Sequence, residues 1–177
     1  MVKCGAFFHN FTTSKAKQLM SSYLGEFQCR LDSKGRFVLP AGLKKQLDPS
    51  AQERFVLNRG FEGCLVLYPM NEWEKETARF ENLNLFVAKN RKFYRQFHNG
   101  ATEVVLDSAG RLLMPKRLGE FAEIEKEVVL FAYANRIEVW AKDKYDAVMS
   151  DGADEFADLA EEVMGDSDVA ERGGDVS

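Results

Sequence analysis

The sequence is poor in the residues that build reactive or cross-linked sites. Its 177 residues hold three cysteines and two histidines. Cys4, Cys29 and Cys64 are an odd number, widely spaced, with no C-x-x-C pair. That argues against a disulfide framework or a zinc site, and it fits a reducing cytoplasm. His9 and His98 stand far apart, so solvent or helix-end roles suit them better than catalysis. There is no Gly-rich phosphate loop, metal-ligand cluster or nucleophile–base pair, so neither enzyme chemistry nor a cofactor or metal is expected. No apolar run is long enough to span a membrane. Met1–Asn10 lack the long apolar core of a secretory signal.

A strong positive charge is also missing. The formal net charge is −4, which spread evenly would argue mildly against nucleic acid as a partner. The charge is not spread evenly. Residues 1–23 carry three bases and no acids, residues 24–146 carry 20 bases and 18 acids, and residues 147–177 carry one base and ten acids. The acidity therefore lies in the tail, and the central body is slightly basic. Apolar residues make up 45% of the chain, enough for a packed core. The length suits one ordinary domain or two small repeats.

What is present is a duplication. Asp32-Ser33-Lys34-Gly35-Arg36, followed by Phe37-Val38-Leu39-Pro40, returns as Asp107-Ser108-Ala109-Gly110-Arg111, followed by Leu112-Leu113-Met114-Pro115. Asp, Ser, Gly, Arg and Pro recur at one fixed offset, and internal repeats of this kind organise a whole fold. Asp and Ser favour turns by bonding nearby backbone, and Gly supplies positive φ without steric cost. Apolar residues flank each turn, which reads as strand, tight turn, strand. Pro40 and Pro115 then suit the first position of a short helix, backed by the i, i+4 pairs Leu43/Leu47 and Leu118/Ala122.

In chain order, residues 1–20 show no clean period. They read as an arm, or as a start placed too far upstream. Tyr23–Arg30 reads as the first strand, and the first turn and helix run to about Leu47. Phe55–Asn58 and Cys64–Tyr68 form a hairpin about Arg59–Gly63. Asn71 is a candidate N-cap for the helix that follows. Residues 72–98 look helical, with a break at Asn82–Asn84. Phe93, Tyr94 and Phe97 beside Arg91, Lys92 and Arg95 could stack on bases. An amphipathic helix that buries its aromatics is the better reading. His98-Asn99-Gly100 stops that helix. The second copy starts at Ala101, with Val128–Phe131 and Ile137–Trp140 as its hairpin and Tyr145 where Trp73 stood. Asp154–Met164 reads as an acidic helix, and Gly165–Ser177 as disordered.

Tyr23–Phe27, Leu31–Pro40, Arg59–Pro69 and Trp73 closely resemble the bacterial MraZ family. So do Phe97–Ala101, Asp107–Arg111 and Ile137–Trp140. The resemblance covers roughly residues 22–146. It implies a mixed α+β, β-rich fold: two tandem AbrB-like swapped-hairpin β-barrel repeats with short helices, forming rings. The expected segments are a disordered arm (1–21), a first repeat with a helical segment (22–99), a second repeat (100–148) and a largely disordered acidic tail (149–177).

The resemblance further implies a sequence-specific transcriptional regulator, usually a repressor, of the division and cell-wall gene cluster. It would act in the cytoplasm, at the nucleoid. Its partners would be double-stranded DNA, at promoter direct repeats, and itself, in an octamer-like ring, with no membrane partner. In the family the D-x-x-x-R arginine contacts DNA, which carries onto Arg36 and Arg111. Lys34 adds a point charge beside one turn, and Lys116 and Arg117 lie a strand away. Asp32, Gly35, Asp107 and Gly110 support the turns: each Asp either bonds turn amides or holds its Arg. The alternative is a ring-shaped interaction module binding an acidic partner protein.

Overall fold

The computed structural model describes residues 22–150 and 153–172. The expected arm at 1–21 lies outside them. The first half runs β1 (Tyr23–Arg30), β2 (Arg36–Val38), α1 (Ala41–Lys44), a 3-10 turn (Pro49–Ala51), β3 (Arg54–Arg59), β4 (Leu65–Pro69), α2 (Met70–Ala78) and α3 (Ala88–Phe97). The second runs β5 (Thr102–Val105), β6 (Arg111–Leu113), α4 (Lys116–Phe121), β7 (Glu127–Ala134), β8 (Arg136–Ala141), α5 (Lys142–Val148) and α6 (Ala153–Arg172). The architecture is mixed α+β, centred on its sheets.

The two halves interleave. One sheet has the order β1-β7-β8-β4-β3-β5, and β2 pairs β6 in a second, two-stranded sheet. Each half's first strand thus pairs with the other half's third strand: β1 with β7, and β5 with β3. The fourth strands, β4 and β8, pair with each other, as do the second strands. Neither half completes its own sheet, so the core is shared. Tyr23, Phe37, Leu57, Leu112, Leu130 and Ile137 are all essentially buried in one cluster. Fully burying each such aliphatic or aromatic side chain is worth roughly 1.5–3 kcal/mol.

Local sequence explains the elements. β1 alternates, with Tyr23, Phe27 and Cys29 packing on the core while Leu24, Gln28 and Arg30 face outward, the period-two pattern of a one-sided strand. β4 is buried at every position, because the aromatic insert covers its other face. There Trp73 stacks on Phe97 at 5.5 Å, and Phe80 meets Phe97 edge-on at 4.8 Å.

Three expectations need correction. Asn71 does not cap α2. The helix starts at Met70 behind Pro69, whose fixed φ of −54° sets the chain direction, with no side-chain cap bond. Asn71 instead donates to Glu72 Oε1 at 3.4 Å. The aromatics of α3 are only partly buried: Phe97 is half-buried, but Phe93 and Tyr94 stay 41% and 38% exposed. The acidic helix does not stop at Met164. α6 continues through Gly165 to Arg172, where the single Gly is outweighed by helix formers on both sides.

Candidate nucleic-acid interface

Each turn is built the same way. The Asp32 carbonyl accepts from Gly35 N–H at 2.9 Å, and Asp32 N–H donates to the Arg36 carbonyl at 2.7 Å. In the second copy Asp107 and Gly110 repeat the first bond at 2.8 Å, and Asp107 and Arg111 the second at 2.9 Å. Gly35 and Gly110 have φ of +75° and +71°. A Cβ at Gly110 would meet nothing within 4 Å. The glycine is therefore required by backbone conformation, not by space.

The aspartate then divides its two oxygens. Asp32 Oδ1 accepts the amides of Lys34 and Arg36, both at 2.9 Å. Asp32 Oδ2 takes Arg36 Nε at 2.8 Å and Nη2 at 2.7 Å. Asp107 does the same with Ala109, Arg111 N, Arg111 Nε and Arg111 Nη2, at 2.9, 2.9, 2.8 and 2.8 Å. The bonds from Arg36 hold the Asp32 carboxyl down at about 2. The Arg111 amide and guanidinium likewise hold Asp107 below the usual carboxylate range. Both carboxylates are therefore charged at neutral pH. Each arginine spends the Nε side of its fork on the carboxylate. The Nη1 amine and the outer Nη2 hydrogen are left over, and that edge can grip a phosphate or the O6/N7 pair of guanine.

The two-stranded sheet puts both turns on one face. In its register Arg36 lies opposite Leu113 and Val38 lies opposite Arg111. Side chains two apart, and those directly opposite, share a face. Arg36, Val38, Leu113 and Arg111 therefore point outward together, while Phe37 and Leu112 go into the core at 1% exposure. Val38 and Leu113 are more than half exposed between the two arginines. They are the members of this face that sequence reasoning missed. The signal was available, since each stands two residues from its turn arginine.

The flanking bases are unevenly distributed. Lys34 is exposed and lines one depression together with Lys116, beside Gly35 and Met114. They meet because Met114 N–H donates to the Gly35 carbonyl at 2.9 Å. Lys116 makes only a long 3.8 Å contact with Glu120 and stays 90% exposed, too weak to hold it. Arg117 is exposed on the first turn of α4. At the other turn the matching bond joins Leu39 N–H to the Gly110 carbonyl at 3.0 Å. The neighbours there are Ala109 and Ala41, and neither is charged. No group of three or more metal-ligating side chains suited to an ion occurs among the described residues. No described helix is long and apolar enough to cross a membrane.

Two interleaved copies of one α+β unit, each showing the same carboxylate-braced arginine, define a class of duplicated sheet proteins with a repeated cationic surface feature. The family described as "MraZ protein, putative antitoxin-like" matches this chain twice, over residues 23–96 and 97–166. The chain belongs to the MraZ family. A transcriptional regulator MraZ from Christiangramia forsetii is 49% identical over 150 residues, covering 84% of this chain and 97% of the relative. One of the same name from Flavobacterium psychrophilum is 47% identical over 155 residues, covering 87% and 99%. One from Cytophaga hutchinsonii is 42% identical over 145 residues, covering 82% and 96%.

Proposed function

We propose that this chain regulates transcription by binding double-stranded DNA through the face that carries Arg36 and Arg111. The observation that supports this most is the shared outward face of the two braced arginines. Bracing by aspartate fixes each guanidinium before DNA arrives, so little side-chain entropy remains to be lost on binding. Lys34, Lys116 and Arg117 supply further phosphate contacts beside the first turn. The relatives' name, transcriptional regulator, agrees with this reading. The finer reading is a repressor acting at the nucleoid on promoter direct repeats of the division and cell-wall gene cluster.

One copy offers few contacts, so affinity requires several copies on one operator. A homo-oligomeric ring, octamer-like in subunit number, presents the turns repeatedly to direct repeats. Effective concentration then multiplies weak single contacts. A gel-shift titration with DNA from upstream of the chain's own gene, at two salt concentrations, tests this. Retardation should weaken steeply as salt rises, through counterion release. Equal retardation of unrelated DNA would contradict sequence-specific binding.

A further inference from the structure

Helix α3 is unusual for a helix that belongs to a folded body. It carries Lys89, Arg91, Lys92 and Arg95, no acid and no buried residue. None of the four appears in an ion pair among the described residues; Arg91 instead donates to the Leu85 and Phe86 carbonyls at 2.8 and 2.7 Å. Phe86, just ahead of it, is 96% exposed. The helix also forms one wall of a groove of about 400 Å³, through Phe93 and Phe97. Arg59, Phe61, Tyr133 and Arg136 line it as well, along with the carboxylates Glu76 and Glu138. Arg59 Nε is buried and has no acceptor. The groove is therefore aromatic in its walls, its own arginines are matched by Glu76 and Glu138, and the surplus positive charge lies beside it on α3.

Helix α6 has the opposite chemistry. Phe156, Leu159 and Val163 recur at i, i+3 and i+7 and are all more than half exposed. That spacing makes one apolar stripe, and in this chain it is left open to solvent. Residues 155–165 carry Glu155, Asp158, Glu161 and Glu162 and no base. Helical spacing sets Glu155 and Glu162 beside the stripe, as it sets Lys89 and Lys92 beside Phe93 on α3.

We infer that α6 of a second copy of this chain docks in the α3 groove. Phe156, Leu159 and Val163 lie against Phe61 and Phe93, and the carboxylates face the lysines of α3. Charge complementarity selects this occupant, and both surfaces stand open within one chain. The contact joins unlike surfaces, so it is heterologous, and a heterologous contact that closes generates a ring. The inference rests on the ring reading above and names the surfaces that close it.

The test is the mass of the full-length chain by light scattering, for wild type and three variants. Leu159→Asp with Val163→Asp removes the stripe at exposed positions, which spares the core. Lys89→Glu with Lys92→Glu reverses the charge on α3 beside the groove. Adding Glu155→Lys and Glu162→Lys to that second variant restores opposite signs. The expected result is a large wild-type assembly, at least about a twofold loss of mass in the first two variants, and recovery in the third. A wild-type assembly that both variants preserve would overturn this contact and leave the ring standing. A monomeric wild type would overturn both. Unchanged mass with α6 newly open to protease in the stripe variant would place α6 on its own chain's groove, and so reject the second copy.

Discussion

Asp32 and Asp107 brace their arginines through the same four contacts, yet the ground around the two turns differs. The first turn has Lys34 within it and Lys116 beside it. At the second turn Ala109 and Ala41 take those places. The halves also differ in bulk. β1 pairs with β7 over eight positions, whereas β5 pairs with β3 over four. The first half alone carries the long aromatic insert, α2 and α3, where the second has α5 and the acidic α6. The comparison separates what the fold enforces from what it leaves adjustable. Brace, glycine and core residue are enforced, because shared pairing in β2–β6 ties each turn to the other. Charge around the turn is free to vary.

The comparison can be broken hardest at the core. Phe37 and Leu112 face each other in the two-stranded sheet register, both 1% exposed. Phe37→Ala should cost about 3–5 kcal/mol and Leu112→Ala about 2–5 kcal/mol, read as urea-unfolding midpoints. Because the core is shared, each should destabilise the whole chain in one transition. Two separate transitions, one per half, would show that the halves fold independently.

Charge sharpens the comparison next. Lys34→Ala should weaken DNA binding and lower the salt slope by about one, and Ala109→Lys should do the reverse. Gel-shift titrations across a salt series read both. If Ala109→Lys leaves the slope unchanged, the second turn does not approach phosphate.

The smallest effect is on acid stability. The folded-state pKa of Asp32 lies at about 2 and that of Asp107 is also depressed. Their contribution is whole above the ordinary carboxylate pKa and is lost as pH falls through the folded value. Between about pH 4 and pH 2, Asp32→Asn and Asp107→Asn should each lose less stability than wild type. Thermal melts through that window check it, and Asp32→Asn should show the larger effect.

Much of this was legible in the residues. The duplication could be read because D-x-x-x-R demands a particular turn, and turn chemistry is local. β1 could be read from its alternation. The exchange of β1 and β5 between halves could not, because a strand's pattern fixes which face is buried and not which partner it meets. Asn71 differs for a similar reason: its local cap propensity is overridden by Pro69, which sets where α2 starts. The α3 groove joins residues from β3, α3 and the β7–β8 turn, so no single stretch could announce it. Phe93 and Tyr94 looked like core residues because periodicity registers an apolar face without registering what covers it.

The central claim is that two braced guanidiniums on one face hold DNA. Its most direct test is the affinity of Arg36→Ala/Arg111→Ala for the upstream promoter DNA, with the mass of the assembly measured on the same sample. Each lost fork is worth roughly 1–3 kcal/mol, so affinity should fall at least about thirtyfold with the mass unchanged. Wild-type affinity in that variant would contradict the account.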